Sequence, residues 1–250
     1  VNDRLLTVKN NKTQKGEKHG YLTGILYLVP ANGAGLGNLC PHASQGCRLA
    51  CLFTAGRGAT PRVKAGRLRK TQLFFADTAM FVDSLAGDVQ RLAKRATKKR
   101  LTFVVRLNGT SDIPWERVKG TNGLTLMEQF PDTQFYDYTK RPNRDTGFSN
   151  YHLTFSRSEH NETQALIELA RGRNVAVVFD THKRDKLPTK WNGYRVIDGD
   201  KTDLRFTDAS GVVVGLRAKG KARRDDSGFV VKVAKNKSRP GPSLRVGRAA

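Results

Sequence analysis

Long apolar runs alternate with amphipathic stretches along the chain, and together they predict an α/β fold. Residues 21–29 (Tyr-Leu-Thr-Gly-Ile-Leu-Tyr-Leu-Val) and 174–179 (Asn-Val-Ala-Val-Val-Phe) are apolar almost throughout. That is the pattern of a strand with layers packed on both faces. Shorter runs rich in β-branched and aromatic residues at 101–107, 133–138, 151–156, 194–197 and 211–216 read as further strands, and 229–233 as a last one. Helical spacing is clearest after Asp77, where Met80, Phe81, Leu85, Val89, Leu92 and Ala96 recur every three or four residues. Thr60-Pro61 has the form of an N-cap with proline at the first helical position. Shorter helices are expected at 123–130 and 162–171.

This order predicts a mostly parallel sheet in a partial (β/α) barrel. Residues 139–150, 180–193 and 198–210 show no clear helix. A parallel crossover usually needs a dozen or more residues, so part of the sheet is expected to be irregular or antiparallel. One domain over 1–250 is expected, with a basic N-terminal arm (1–20), a barrel-like core (21–220) and a basic C-terminal extension (221–250). Residues 9–20, polar and glycine-punctuated, read as a surface loop. No run of about 18 apolar residues occurs, and the N-terminus lacks a signal core, so no membrane partner and a cytoplasmic location are expected.

Charge changes the picture most. The chain carries 45 Lys and Arg against 22 Asp and Glu, a formal +23. Such an excess attracts polyanions, nucleic acid first among them. Candidate phosphate-binding residues are Arg62, Lys64, Arg67, Arg69 and Lys70 on the helix after Pro61, and Arg217, Lys219, Lys221, Arg223 and Arg224 near the end. A solvated basic surface is the plainer reading of the same residues.

The three cysteines of the chain, Cys40, Cys47 and Cys51, fall within twelve residues. Thiolates this close suit a small, sulfur-seeking metal site, either an iron-sulfur cluster or zinc. An odd count also speaks against a secreted disulfide framework. Three thiolates leave one iron of a [4Fe–4S] cluster open. Structural zinc needs a fourth ligand, for which only His42 is near in sequence, and the paired short spacings typical of zinc are missing. The cluster is therefore the favoured reading. Glycines 33, 35 and 37 ahead of the first cysteine would let backbone approach a bulky ligand.

In parallel α/β folds, residues just after the strands share the face that holds the site. Here these are Arg106, Asn108, Thr110 and Asp112, then Tyr136, Tyr138 and Lys140, then Ser156, Arg157 and Glu159, then Asp180, Asp198 and Asp200, then Arg217 and Lys219. Arg106, Asn108, Thr110 and Tyr138 are the candidates to line the open iron and position a substrate. Asn108, Ser156 and Asp180 are the candidates for contact with a further cofactor. A metal-dependent nuclease built on Asp112, Asp198 and Asp200 is a rival, although Asp-Gly-Asp is also ordinary turn sequence. A non-catalytic cluster or Cys3His zinc module that binds nucleic acid or a host protein is another. Oligomeric state is not readable from the sequence.

A strand, a three-cysteine loop and then further helices and strands resemble the radical S-adenosylmethionine enzymes. That resemblance implies a [4Fe–4S] cluster on Cys40, Cys47 and Cys51, with S-adenosylmethionine as a second cofactor at the open iron. Two departures weigh against the second cofactor. The cysteines are separated by six and then three residues, longer than the superfamily's spacing, and Asn108-Gly109-Thr110-Ser111-Asp112 stands where its glycine-glycine-glutamate would be. A closer resemblance, over most of the chain, is to the phage gene product 88 group. It rests on residues 20–29, 40–44, 47–58 (CRLACLFTAGRG), 106–112 (RLNGTSD), 135–140 (FYDYTK), 151–159 (YHLTFSRSE) and 214–220. It implies a phage protein acting in a bacterial cytoplasm and carries no reaction with it.

Overall fold

The computed structural model describes residues 4–233. Its frame is a nine-stranded sheet of Leu6–Thr7 (β1), Tyr21–Leu26 (β2), Thr102–Arg106 (β3), Gln134–Thr139 (β4), Tyr151–Ser156 (β5), Val175–Phe179 (β6), Lys190–Trp191 (β7), Tyr194–Asp198 (β8) and Val213–Arg217 (β9). The spatial order is β1-β2-β3-β4-β5-β6-β9-β8-β7. Neighbours from β2 to β8 pair in parallel, while β1 and β7 add antiparallel edges. Among the described residues the sheet is open: β1 and β7 stand at its two ends.

The helices are Asn11–Glu17 (α1), Gln45–Leu49 (α2), Pro61–Ala76 (α3), Thr78–Lys98 (α4), Leu126–Gln129 (α5) and Glu162–Ala170 (α6). Because β2 to β6 advance in one direction, right-handed crossovers place their helices on one face. α4 follows its periodic stripe. Asp77 caps it by accepting from Met80 N at 2.9 Å, and Phe81, Leu85, Val89 and Leu92 pack with Phe103, Val105, Phe135 and Tyr151. Farther along the same face, Ala165 and Leu169 of α6 pack with Phe155, Val175, Val177 and Phe179.

The alternate strand positions, Val104, Arg106, Tyr136, Tyr138, Thr154 and Val178, point to the second face. There the connection from β8 to β9 folds back over the sheet. Leu204 packs with Val104 and Tyr136, and the Phe206 ring lies 5.4 Å from both Tyr21 and Tyr136. This connection carries only the 3-10 turn Arg205–Thr207, and the link from β6 to β8 is the antiparallel β7–β8 hairpin.

Two expectations change. Residues 1–20 are not a free arm where they are described: β1 pairs with β2, and α1 is a true helix opened by Asn10. Asn10 and Thr13 cap each other reciprocally, which stabilises a helix with no apolar stripe. Residues 229–233 do not form a full strand but touch the sheet through one parallel bridge, Phe179–Val231. Residues 234–250 of the expected C-terminal extension lie outside the described residues.

Candidate metal-ligating loop and its cationic surroundings

The cysteine loop lies across the C-terminal ends of the parallel strands. Ser44 opens α2: its hydroxyl accepts from Cys47 N at 3.2 Å and donates to Glu159 Oε2 at 2.7 Å. Gly46 N donates to Glu159 Oε1 at 2.7 Å, so the residue after β5 anchors the loop. Burial works against the Glu159 charge, but these donors prevail and hold its carboxyl below its ordinary range. Gly46 is required by space. A Cβ there would lie 2.1 Å from Ser227 Oγ and 2.7 Å from Phe229 Cβ. Cys47 packs with Ala50, Ala218, Ala222, Phe229 and Val178, at the ends of β6 and β9.

Cys40 is held from the β3 side. Its Sγ donates to Thr110 O at 3.7 Å, Thr110 Oγ1 donates to Leu28 O at 2.5 Å, and Asp112 N donates to Leu39 O at 2.8 Å. All three cysteines are free and half-buried. Burial pushes the Cys40 thiol up to about 12, with Asp112, Cys51 and Cys47 adding to the effect and a backbone hydrogen bond opposing it. Burial likewise raises Cys51, where Cys47 adds while Phe53 N–H, Arg67 and Lys140 oppose. The Cys40 thiol therefore feels both other sulfurs, and the Cys51 thiol feels Cys47. Among the described residues no group of three or more His, Cys, Asp or Glu side chains stands ready around a single point to hold a metal ion. As a donor set the loop fits a sulfur-seeking cation: buried thiols resist ionising alone, and a bound metal removes their protons.

The family model described as gene product 88 matches residues 4–233. The chain belongs to that family. No match was found among the curated proteins or the solved structures. In this gene product 88 chain, the stretches that carried the resemblance are the ones that meet here: 40–44 and 47–58 form the loop, while 106–112, 135–140, 151–159 and 214–220 supply its supports.

The other candidate residues separate into groups. Thr110 reaches Cys40 as described, and Ser156 Oγ accepts from Lys140 Nζ at 2.6 Å, with that ammonium 5.4 Å from the Phe229 ring centre. Asn108 is buried and engaged internally. Its Oδ1 accepts from Ser111 Oγ, Ile113 N and Trp115 Nε1, and its Nδ2 donates to Ile113 O. Asp180 accepts from Val233 N at 2.8 Å and so fastens the segment after Phe229. Arg106 and Tyr138 lie on the second face. Arg106 Nη1 donates to both carboxylate oxygens of Asp203, at 3.0 and 2.8 Å, and its guanidinium stacks 4.7 Å from the Tyr138 ring centre. Burial opposes the Arg106 charge, but Asp203 and the neighbouring tyrosines outweigh it. Lys12 from α1 reaches the same Asp203 at 3.2 Å.

The three carboxylates of the nuclease reading, Asp112, Asp198 and Asp200, are each paired with cations. Asp112 meets Arg144 at 3.2 Å, and Arg144 also binds Glu116 at 2.6 Å. Asp198 and Asp200 meet Arg217 at 2.9 and 3.3 Å, and Asp200 meets Lys219 at 2.5 Å. Arg62, Lys64 and Arg69 on α3 are exposed, as are Lys221, Arg223 and Arg224 on the 3-10 turn Gly220–Arg224, so basic surface flanks the loop on two sides. Lys70 donates to Leu5 O at 2.8 Å. Arg67 departs from its expected place among these surface cations. It turns inward, 8% exposed, between the Tyr27 and Phe53 rings at 4.9 and 5.2 Å. His42 is exposed.

Sequence reading missed Lys12, Tyr27, Arg144 and Asp203. Tyr27, a polar-tipped ring at the end of an apolar run, carried a local signal. Asp203 carried none, because its partner Arg106 is 97 residues away.

Proposed function

We propose that the chain holds a [4Fe–4S] cluster through Cys40, Cys47 and Cys51, leaves one iron for an outside ligand, and works against nucleic acid. The observation that carries this reading is the gathering of the chain's three cysteines on one loop at the strand ends, anchored by Glu159 through Ser44 and Gly46 and by Thr110 through Cys40. Arg67 and Lys140 favour the Cys51 thiolate, as ligands of an anionic cluster require. When bound, the cluster would supply one-electron chemistry at its open iron. The parallel run from β2 to β6, advancing in one direction, supports reading the sheet as part of a (β/α) barrel of the radical S-adenosylmethionine type. Glu159 and Ser44 set the start of the loop, Thr110 orients the Cys40 thiol through its carbonyl, and Lys140 keeps an ammonium beside Ser156. Arg62, Lys64, Arg69, Lys221, Arg223 and Arg224 are the phosphate-facing cations, and Arg217 and Lys219 hold ion pairs with Asp198 and Asp200.

Purification without oxygen, followed by assay of iron, acid-labile sulfide and zinc, tests the reading. Iron and sulfide in equal amounts, lost together in Cys40→Ser, Cys47→Ser and Cys51→Ser, are expected. Stoichiometric zinc without sulfide would sink it. Nucleic-acid affinity should fall steeply and linearly in log–log form as salt rises. S-adenosylmethionine as the open-iron ligand predicts 5′-deoxyadenosine on reduction with dithionite. Its absence, together with no binding of S-adenosylmethionine, removes that version alone.

A further inference from the structure

Among the described residues, no carboxylate pairs with Arg67. It sits on α3, 8% exposed, and among the described residues its Nε and Nη1 have no hydrogen-bond partner. Other buried arginines of this chain meet carboxylates: Arg106 meets Asp203 at 2.8 Å, Arg144 meets Glu116 at 2.6 Å, and Arg205 meets Asp208 at 3.2 Å. Arg67 instead lies over two ring faces, Tyr27 at 4.9 Å and Phe53 at 5.2 Å. Stacking fixes the plane of a guanidinium and leaves its N–H edge uncommitted, and its attraction is smaller than the cost of removing a full charge from water. Burial holds Arg67 below the ordinary guanidinium range, and only Tyr27 and Cys51 oppose that effect. The same place is tightly built, since a Cβ on Gly58 would lie 3.2 Å from Arg67 Nη2.

A buried charge held rigid by aromatic rings, with donors unused and a cysteine loop alongside, has the properties of a ligand's anchor. We propose that Arg67 is an anion-binding residue, which takes the carboxylate or phosphate group of a small ligand that docks beside the cysteine loop. The proposal deepens the cluster reading, because the ligand held there would be the one that approaches the open iron, yet the anion site itself does not need the cluster.

The test uses the full chain purified without oxygen, with iron and sulfide measured on every sample. Thermal unfolding is followed at constant ionic strength while chloride is exchanged for inorganic phosphate or for acetate. Variants are Arg67→Met, which keeps the length and loses the charge, and Lys94→Met, an exposed loss of charge on α4. The wild type and Lys94→Met should show a saturable rise in Tm with one of the two anions. Arg67→Met should weaken the apparent anion affinity by about tenfold or more, as expected for lost charge-assisted hydrogen bonds. Without anion, Arg67→Met should unfold no lower than the wild type, because it removes an uncompensated buried charge. A guanidinium that only supports structure predicts the opposite, a lower Tm for Arg67→Met without anion, and that result would overturn the proposal. So would an anion response that is absent from the wild type or unchanged in Arg67→Met. An Arg67-dependent anion response in protein lacking iron and sulfide would leave this inference standing and remove the cluster reading. A full cluster complement with no such response would do the reverse.

Discussion

The two faces of the sheet are built from different chemistry. Under α4 and α6, Leu85, Val89, Phe103, Val105, Phe135 and Val177 form an apolar layer. On the opposite face, Arg106 and Arg205 are buried beside the half-buried Tyr138 and Asp203, with Lys12 at the edge. Burying an apolar side chain stabilises the fold by roughly 1.5–3 kcal/mol, whereas burying an ion pair leaves little net gain. The helix-covered face therefore accounts for the fold, and the charged face is kept for another reason. Tyr27 joins it to Arg67, because the Tyr27 ring stacks on that guanidinium and its hydroxyl feels the charges of Arg106 and Asp203.

The largest contrast should come from breaking one partner on the charged face. Asp203→Ala leaves the Arg106 guanidinium buried and deprived of its nearest carboxylate, and a loss of about 3–5 kcal/mol in chemical unfolding is expected. Replacing both, Arg106→Met with Asp203→Leu, should recover most of it, because the cost lies in the charge left behind. On the apolar face no second change can give such a rescue. Leu85→Ala should cost about 2–5 kcal/mol through lost burial and a cavity.

Acid should separate the faces more gently. Burial opposes the Asp203 charge, but Arg106 and Lys12 prevail and lower its carboxyl from 3.8 to about 2. A lowered acid stabilises the folded state fully above its ordinary value, and that contribution disappears as pH falls through the folded one. About 2 kcal/mol should therefore be lost between roughly pH 4 and pH 2. Asp203→Asn should flatten this limb of the stability–pH curve, and Leu85→Ala should leave its shape unchanged.

The smallest effect is expected at the loop. Glu159→Gln weakens the acceptor for Ser44 Oγ and Gly46 N, at a cost of about 1–2 kcal/mol. The loss is local, so faster alkylation of the cysteines with little change in Tm is the outcome to look for.

How much of this was legible in the sequence follows from how far each signal reaches along the chain. β2 and β6 announce themselves because both faces are covered, so nearly every side chain is apolar. α4 does so through its stripe and the Asp77 cap. α1 has no stripe and rests on its Asn10–Thr13 cap and its seat against β2, so it reads as a loop. The β7–β8 hairpin did leave a mark: Asn192-Gly193, with φ of 46° and 85°, is the left-handed pair that a tight hairpin turn requires. The placing of β9 between β6 and β8 left none, because register across a parallel sheet is set by packing.

At the site, the cysteines stood out by their scarcity and the strand-end residues by their position. What those residues do there depended on distant partners. Arg106 looked like a free cation until Asp203 took it, and Asn108 like a ligand until the 111–115 turn consumed its amide. Arg67 looked like one surface charge among five, and its burial came only from the rings of Tyr27 and Phe53.

The central proposal is that Cys40, Cys47 and Cys51 hold a cluster with one iron open. Electron paramagnetic resonance of the anaerobically purified, dithionite-reduced chain tests it most directly, recorded before and after addition of a small iron ligand such as cyanide. The account predicts the signal of a reduced cubane cluster that changes shape when the ligand binds and is missing from Cys40→Ser, Cys47→Ser and Cys51→Ser. A cluster signal that ignores added ligand, or one that survives all three substitutions, would contradict it.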